Sequence, residues 1–476
     1  MQNSDRTWAL VDAKKEQFEQ LSDRVWGMPE VAYTEYRSVE EHAAMLAAQG
    51  FRITRDVAGI PTAVVGEAGR GGPVIAILGE FDALPGLSQV AGLPEQKPLE
   101  AGGNGHGCGH NLLGSAALLA ATAVKDYLAE NGIEGRVRYY GCPAEEGGAA
   151  KGFMVRAGAF DDVDLAISWH PSTFNRVNDP VSLANTRIDF TFHGRASHAS
   201  TAPQLGRSAL DAVELMNIGV NYMREHMPSE ARIHYAYLDA GGGAPNVVQA
   251  LAKVRHLIRA PDLPALTALI ARVRKIAEGA ALMTETTVET NVVSAVSNLL
   301  GNTPLEEAMH RNLERLGPPP FDQADKEFAR QIQATLTEAD IASTFRRAGM
   351  PANPDMTLCE FVVPLTAKGD AMVGSTDVGD VSWAVPTVQA RVATCAIGTP
   401  GHSWQLTAQG KTPAAHKGMV QAAKLMASTA VDAISNPALV TAAKADHQAR
   451  LGKHPYVCPM PDDVMPPLQP RPIAAE

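Results

Sequence analysis

The sequence predicts an α/β fold in which a mostly parallel sheet carries helices on both faces and a small ferredoxin-like domain is inserted. Two observations predict it. Short apolar runs alternate with helical patterns in both outer parts of the chain, and the middle part follows a different order. Alternating strands and helices are typical of parallel sheets. At 476 residues the chain also exceeds what one hydrophobic core usually supports, so more than one domain is expected.

The outer parts supply the larger domain. Residues 8–26 are amphipathic and residues 112–130 are rich in alanine, and both stretches predict helices. Apolar runs predict strands of the large sheet at 74–78, 137–141, 165–169 and 392–397. The same architecture therefore resumes after a long interruption.

The interruption has the order βαββαβ, which is the order of a ferredoxin-like domain. Its predicted elements are strand 187–193, helix 209–226, strand 232–238, strand 250–259, helix 264–282 and strand 287–293. We therefore expect the larger domain to consist of residues 1–186 and 300–476, with residues 187–299 as the inserted domain.

Composition narrows the function classes. With 52 acidic against 41 basic residues the formal net charge is −11, so the average field repels nucleic acid and anionic lipid surfaces. No apolar run is as long as a membrane span requires, and the first ten residues lack the apolar core of a secretion signal. The five cysteines are few and odd in number, which argues against a disulfide framework. We expect a cytoplasmic protein with reduced thiols that binds neither nucleic acid nor membranes.

Five clusters of residues with metal-binding side chains each follow a predicted strand or begin a helix. They lie at 80–82, 107–110, 143–148, 169–171 and 398–403. The carboxyl ends of strands in an open α/β sheet meet at one edge, where active sites collect. These clusters are therefore predicted to converge.

The chemistry of the clusters indicates a transition-metal hydrolase. Cys108 and His110 flank Gly109, whose backbone can bend so that both side chains reach one ion. Thiolate, imidazole and carboxylate together suit zinc or another first-row metal. Of the adjacent Glu145 and Glu146, one can bind metal while the other takes a proton from water whose pKa the metal lowers toward about 7. Spacing alone leaves open which glutamate does which.

Five separated motifs resemble the M20 metallopeptidase family, and more closely its amidohydrolase branch, subfamily D. They are Glu-Phe-Asp-Ala-Leu-Pro at 80–85, His-Gly-Cys-Gly-His at 106–110, Pro-Ala-Glu-Glu-Gly-Gly at 143–148, Trp-His-Pro at 169–171 and Pro-Gly-His-Ser at 400–403. Gly-Arg-Ala-Ser-His-Ala-Ser at 194–200 and Pro-Asn-Val-Val at 245–248 are similar to the family's lid domain. Glu80 and Asn111 depart from the pattern, since related amidohydrolases carry aspartate at both positions.

The resemblance implies a di-metal exopeptidase-like fold and a complete site. Two divalent ions, Mn or Zn, would be held by Cys108, His110, Glu146, His170 and His402. Glu145 would be the general base, and Asp82 would orient a metal-binding imidazole. In the lid, His198 would reach the active site of a neighbouring subunit and polarise the scissile carbonyl, while Asn246 and Arg259 would bind the substrate carboxylate. A homodimer or heterodimer through the lid follows.

The branch includes auxin-conjugate, N-acyl-amino-acid and p-aminobenzoyl-glutamate hydrolases. The resemblance therefore implies hydrolysis of the amide of an N-acyl or N-aroyl amino acid, with p-aminobenzoyl-glutamate as the leading substrate. Other N-acyl amino acids, auxin conjugates and dipeptides are alternatives. A different class of function, a metal-binding subunit without catalysis, would be favoured if Glu145 were absent, and Glu145 is present.

Overall fold

The computed structural model describes residues 3–369 and 374–470. Fourteen helices lie within these ranges: α1 (Asn3–Asp12), α2 (Lys15–Trp26), α3 (Tyr36–Ala48), α4 (His110–Asn131), α5 (Ala150–Arg156), α6 (Ala209–Met223), α7 (Leu263–Thr284), α8 (Thr303–Leu316), α9 (Gln323–Gln333), α10 (Glu338–Ala348), α11 (Val378–Ala384), α12 (Trp404–Gln409), α13 (Pro413–Ser435) and α14 (Pro437–Leu451). The strands of the same ranges are β1 (Arg52–Arg55), β2 (Val64–Arg70), β3 (Val74–Glu80), β4 (Gly135–Cys142), β5 (Leu165–Ser172), β6 (Arg176–Val177), β7 (Ala184–His193), β8 (Arg232–Asp239), β9 (Leu251–Ala260), β10 (Thr287–Val296) and β11 (Thr387–Ala393).

The larger sheet has seven strands in the order β1-β2-β4-β3-β5-β11-β6. Its four central strands, β4, β3, β5 and β11, are parallel, and the outer strands are antiparallel to their neighbours. Every residue of β3 is buried, which is why it reads as a continuous apolar run rather than an alternating one.

Both faces of this sheet are covered. Ile75 and Ile77 of β3 belong to one core, which α4 and α13 complete. Ala76 and Leu78 belong to a second core on the opposite face, shared with α5 and α11. Because successive side chains of a strand point to opposite faces, the two cores confirm helices on both sides.

The smaller sheet is antiparallel, in the order β10-β7-β9-β8, and α6 and α7 pack against it. Its elements follow one another as βαββαβ, which confirms the inserted ferredoxin-like domain. Strand β8 lies at the edge and is mostly exposed. The division of the chain at 186/187 and 299/300 stays a prediction.

Two sequence predictions were wrong in detail. The stretch 8–26 is not one helix, because a turn at Ala13 and Lys14 separates α1 from α2, and Lys14 pairs there with Asp126 of α4 at 2.7 Å. The last strand is 387–393 instead of 392–397. The apolar run continues beyond the strand because Ile397 packs in a small core of its own with Phe174 and Phe345.

Helix α4 is long and apolar enough to cross a membrane by length and composition, and 83% of its apolar stretch is buried inside the protein. It packs against α13, β3 and β4, and its alanines allow that close approach.

All five cysteines are unpaired, as the sequence predicts.

Candidate metal centre and its cavity

The proposed metal ligands are positioned by the carboxyl edge of the large sheet. His170 lies near the end of β5, and Glu146 follows β4. Gly109 adopts φ +78° at the start of α4, a conformation natural to glycine, so that Cys108 and His110 turn toward the same point. His402 stands in the loop after β11 with φ +55°, a backbone conformation uncommon for residues other than glycine.

The structure brings all five side chains together. Cys108 Sγ lies 3.4 Å from His170 Nε2, and His402 Nε2 lies 3.2 Å from Glu146 Oε1. Two groups, each with donor atoms within 4.8 Å of one another, can be drawn: Cys108 with His110 and His170, and Cys108 with Glu146 and His402. Cys108 belongs to both groups.

The donor atoms fit a transition metal. His110 Nε2 and Glu146 Oε1 are buried, and the contacts they make are long: Glu80 Oε2 lies 3.3 Å from His110 Nε2, and His402 Nε2 lies 3.2 Å from Glu146 Oε1. Buried polar atoms held this loosely cost free energy unless a further partner satisfies them. Both point into the cluster. A cation bound by thiolate, imidazole and carboxylate would satisfy both atoms.

Mutual charge sets the protonation of the cluster. Burial would raise the pKa of Cys108, but the imidazoles of His110 and His170 lower it to about 6. Burial would also raise the pKa of Glu146, but its hydrogen bond with His402 and the charge of His110 lower it to about 2. Contacts with Cys108 and Glu146 raise the pKa of His402 to about 10. The thiol is therefore close to the thiolate form that metals bind.

Asp82 holds two parts of the cluster at once. Its Oδ1 lies 2.8 Å from His110 Nδ1, and its Oδ2 accepts the backbone N–H of Glu146 at 2.9 Å. The contact to Nδ1 leaves Nε2 of His110 free to face the cluster. Carboxylates commonly fix metal-binding imidazoles in this way.

Glu145 lies beside a buried ion cluster that the sequence did not predict. Lys151 Nζ contacts Glu80 Oε1 and Asp377 Oδ1, each at 2.7 Å, and all three side chains are buried. Burial, followed by the charges of Glu80, Asp377 and Glu146, raises the pKa of Glu145 well above its ordinary value. Glu145 is therefore suited to accept and hold a proton. Glu80 and Glu145 also form a third group of potential metal-binding atoms with His110.

A cavity of about 680 Å³ opens onto the cluster and is rich in arginine. Five arginines line it: Arg176, Arg187, Arg259, Arg347 and Arg391. Only Arg259 was predicted from the sequence, and its Nε is buried without a partner among the described residues. Arg187 of β7 crosses directly over Gly147, where a side chain would clash with the guanidinium at 2.8 Å.

Two proposed site residues lie elsewhere. His198 and Asn246 are exposed, in neighbouring loops of the small domain, and neither lines the cavity. His198 Nδ1 accepts the backbone N–H groups of Ser200 and Thr201 at 3.2 and 3.3 Å. Within one chain, the structure does not bring these residues to the metal cluster.

Comparison with known sequences gives consistent matches. The profile of Peptidase family M20/M25/M40 matches residues 76–388. The B subunit of the p-aminobenzoyl-glutamate hydrolase of Escherichia coli (strain K12) is 47% identical over 466 residues, which is 96% of this chain and 97% of that protein. The Xaa-Arg dipeptidase of Mus musculus is 28% identical over 93% of this chain and 91% of its own length. The A subunit of the same Escherichia coli hydrolase is 30% identical over 48% of this chain and 54% of that protein.

Solved structures share the fold. An aminobenzoyl-glutamate utilization protein from Klebsiella pneumoniae superimposes with a TM-score of 0.59 at 18% identity, covering 89% of this chain and 97% of the other. A dinuclear metal-binding peptidase of the M20 family from Bacillus subtilis gives a TM-score of 0.58 at 17% identity, covering 89% and 99%. At these identities the likeness extends to the fold alone.

Proposed function

This chain belongs to the peptidase family M20/M25/M40 and is a metal-dependent hydrolase of amide bonds, and from that premise we propose that it cleaves N-aroyl and N-acyl derivatives of glutamate. p-Aminobenzoyl-glutamate is the leading substrate, because the relative that is 47% identical over nearly the whole chain is named as a subunit of a p-aminobenzoyl-glutamate hydrolase. Other N-acyl amino acids, auxin conjugates and dipeptides are weaker candidates.

The metal centre would hold two divalent ions. Cys108, His110, Glu146, His170 and His402 would hold these ions. When bound, such ions polarise a carbonyl and lower the pKa of water. Manganese and zinc both accept this mixed set of ligands.

Glu145 would move the proton. Its raised pKa suits a carboxylate that takes a proton from the attacking water and then gives it to the leaving amine. Asp82 would keep Nε2 of His110 directed at the metal through the contact to Nδ1. His198 of a neighbouring protomer would stabilise the negative charge that develops on the carbonyl oxygen.

The observation that carries the substrate proposal is the arginine-lined cavity. Arg187 and Arg259 lie on neighbouring strands of the small sheet and enter the same cavity as Glu145. Guanidinium groups that line a cavity favour carboxylates. A basic leaving residue, such as the arginine of an Xaa-Arg dipeptide, would meet like charge, whereas glutamate would not.

We also propose a cytoplasmic dimer. The lid residues His198 and Asn246 are exposed within one chain, where a second chain could bring a cavity to them. The second chain can be another copy or a related protein, since the Escherichia coli relative is named as the B subunit of its hydrolase and the A subunit also matches. The five unpaired cysteines are compatible with a reducing compartment.

The direct test is a substrate panel. Metal-free protein would be loaded separately with Mn and Zn and supplied with p-aminobenzoyl-glutamate, indoleacetyl-aspartate, N-acetyl amino acids and dipeptides, including an Xaa-Arg dipeptide. We expect release of glutamate from the first compound, at a kcat/KM above that of every other compound. Metal-loaded protein that leaves every conjugate intact would favour the alternative of a metal-binding protein without catalysis.

A further inference from the structure

Two arginines extend from the metal centre in a single row across the sheet. In the pairing of β5, β11 and β6, Arg391 lies opposite His170 on one side and opposite Arg176 on the other. Residues paired across neighbouring strands project from the same face. His170, Arg391 and Arg176 therefore form a line in which a proposed metal ligand is followed by two cationic side chains.

Among the described residues, neither arginine forms an ion pair with a carboxylate. Among the residues that the structure describes, none places a carboxylate oxygen within ion-pair distance of either guanidinium. Arg391 Nε donates to Asn178 Oδ1 at 2.8 Å. Within the described ranges, the hydrogen bonds of Arg176 go to backbone carbonyl oxygens at 3.3 to 3.4 Å. The nearby Asp179 pairs with Lys368 instead.

Both side chains line the cavity and are partly buried. Burial lowers the pKa of Arg391 to about 10, although the nearby charges of Cys108 and Glu145 oppose it. Burial also lowers the pKa of Arg176, although the charge of Asp179 opposes it. Two neighbouring like charges held in a partly buried wall without a direct ion-pair partner are unfavourable in the empty protein. They become favourable when an anion binds between them.

We propose that Arg391 and Arg176 form the subsite that binds the side-chain carboxylate of the leaving glutamate and so determine specificity for it. The proposal rests on the proposed function and assigns a separate anion site to each end of the amino acid. Arg259, with Arg187, would serve the α-carboxylate from the lid, and the row on the large sheet would serve the side-chain carboxylate.

The spacing is compatible with glutamate. Neighbouring strands are roughly 4.8 Å apart, so the backbones of Arg391 and Arg176 lie about one and two strand spacings from that of His170. The side-chain carboxyl carbon of glutamate is five bonds, or roughly 6 Å, from the scissile carbonyl carbon. A carbonyl held at the metal centre would therefore place this carboxylate beside the row.

The test compares two isosteric substrates, p-aminobenzoyl-glutamate and p-aminobenzoyl-glutamine, with metal-loaded full-length protein. We expect wild-type protein to prefer the glutamate conjugate in kcat/KM by roughly 10- to 100-fold, the size of one charge-assisted interaction. In Arg391→Gln this ratio should fall toward one, and Arg391→Lys should keep part of it. Arg176→Gln should lower the ratio less. Arg330→Gln, an exposed arginine outside the cavity, is the matched control and should leave the ratio unchanged.

Two results would overturn the subsite: kcat/KM values for both conjugates that stay unchanged in Arg391→Gln and in Arg176→Gln, or an equal loss on both conjugates in every variant. The first result would show that the row does not contact the side chain of the leaving glutamate. The second would show that the row acts on the metal centre or on the acyl group instead. Should wild-type protein cleave neither conjugate, the proposed function fails by itself. Calorimetric binding of glutarate against butyrate then decides the subsite, since an Arg391-dependent preference for glutarate supports it and equal binding refutes it.

Discussion

The proposed site has two halves, one at the carboxyl edge of the large sheet and one in the loops of the lid. Within a single chain the residues of the first half are already together, whereas those of the second half are not. On the sheet, Cys108 and His170 approach to 3.4 Å, and Asp82 already holds His110. In the lid, His198 and Asn246 are exposed and lie outside the cavity.

The difference lies in what positions each side chain. Residues at the ends of hydrogen-bonded parallel strands are held in place by the sheet, so their convergence needs no partner. His198 and Asn246 stand in surface loops that lack that constraint, and within one chain they stay outside the cavity. We therefore expect changes at the sheet edge to act on each chain alone and changes in the lid loops to depend on assembly.

The largest expected effect is that of Glu145→Gln. Removing the proton acceptor should lower kcat by roughly 10²- to 10⁴-fold without loss of metal, because Glu145 is not one of the proposed ligands. Steady-state kinetics and metal analysis by mass spectrometry would measure both quantities on the same preparation.

Glu146→Gln is the matched control for that experiment. It removes a carboxylate from the neighbouring position and should lower metal content as well as activity, since its Oε1 lies in the cluster with Cys108 and His402. If the two variants lose metal equally, the division of roles between the adjacent glutamates is wrong.

Lys151→Met should cost the most stability. It leaves Glu80 and Asp377 buried at 2% exposure or less without their common partner, and breaking a buried pair from one side costs about 3–5 kcal/mol in the free energy of unfolding. Urea denaturation followed by circular dichroism would measure it. A loss below about 1 kcal/mol would mean that the two carboxylates take up protons or solvent without strain.

Much of the sheet edge could be predicted from the sequence, because its ligands stand in motifs directly after apolar strands. Lys151 could not, since its partners are Glu80 and Asp377, which only the fold brings near. Arg391 was missed for another reason. The apolar run 392–397 led to a predicted strand that begins after Arg391, whereas the true strand is 387–393. A charged residue within this mostly buried strand is the one sequence feature that could have indicated a functional role.

His198→Ala tests the lid half. Loss of a group that polarises the carbonyl should lower kcat by roughly 10- to 100-fold, with metal content unchanged. Mixing inactive Glu145→Gln chains with His198→Ala chains should restore about a quarter of the wild-type activity, because half of the dimers are mixed and each mixed dimer has one intact site.

Restoration depends on exchange between chains, so the mixture needs dissociation and reassociation before assay. Glu145→Gln mixed with Glu146→Gln is the control. Each change disables the sheet-edge site of the chain that carries it, so a mixed dimer has no intact site. Absence of recovery in the first mixture, with chain exchange demonstrated by mass spectrometry, would place His198 in the site of its own chain or outside any site.

The smallest expected effect is that of Glu285→Gln in the lid. Glu285 pairs with Arg207 at 2.7 Å, but their side chains are 70% and 38% exposed, so water screens the attraction. We expect the free energy of unfolding to fall by less than about 1 kcal/mol and the difference to shrink as salt rises. Comparison with Lys151→Met contrasts the stability contributed by a buried ion cluster with that of an exposed ion pair. A loss as large as that of Lys151→Met would mean that the lid surface is buried against a second chain, and repeating the measurement at several protein concentrations would show it.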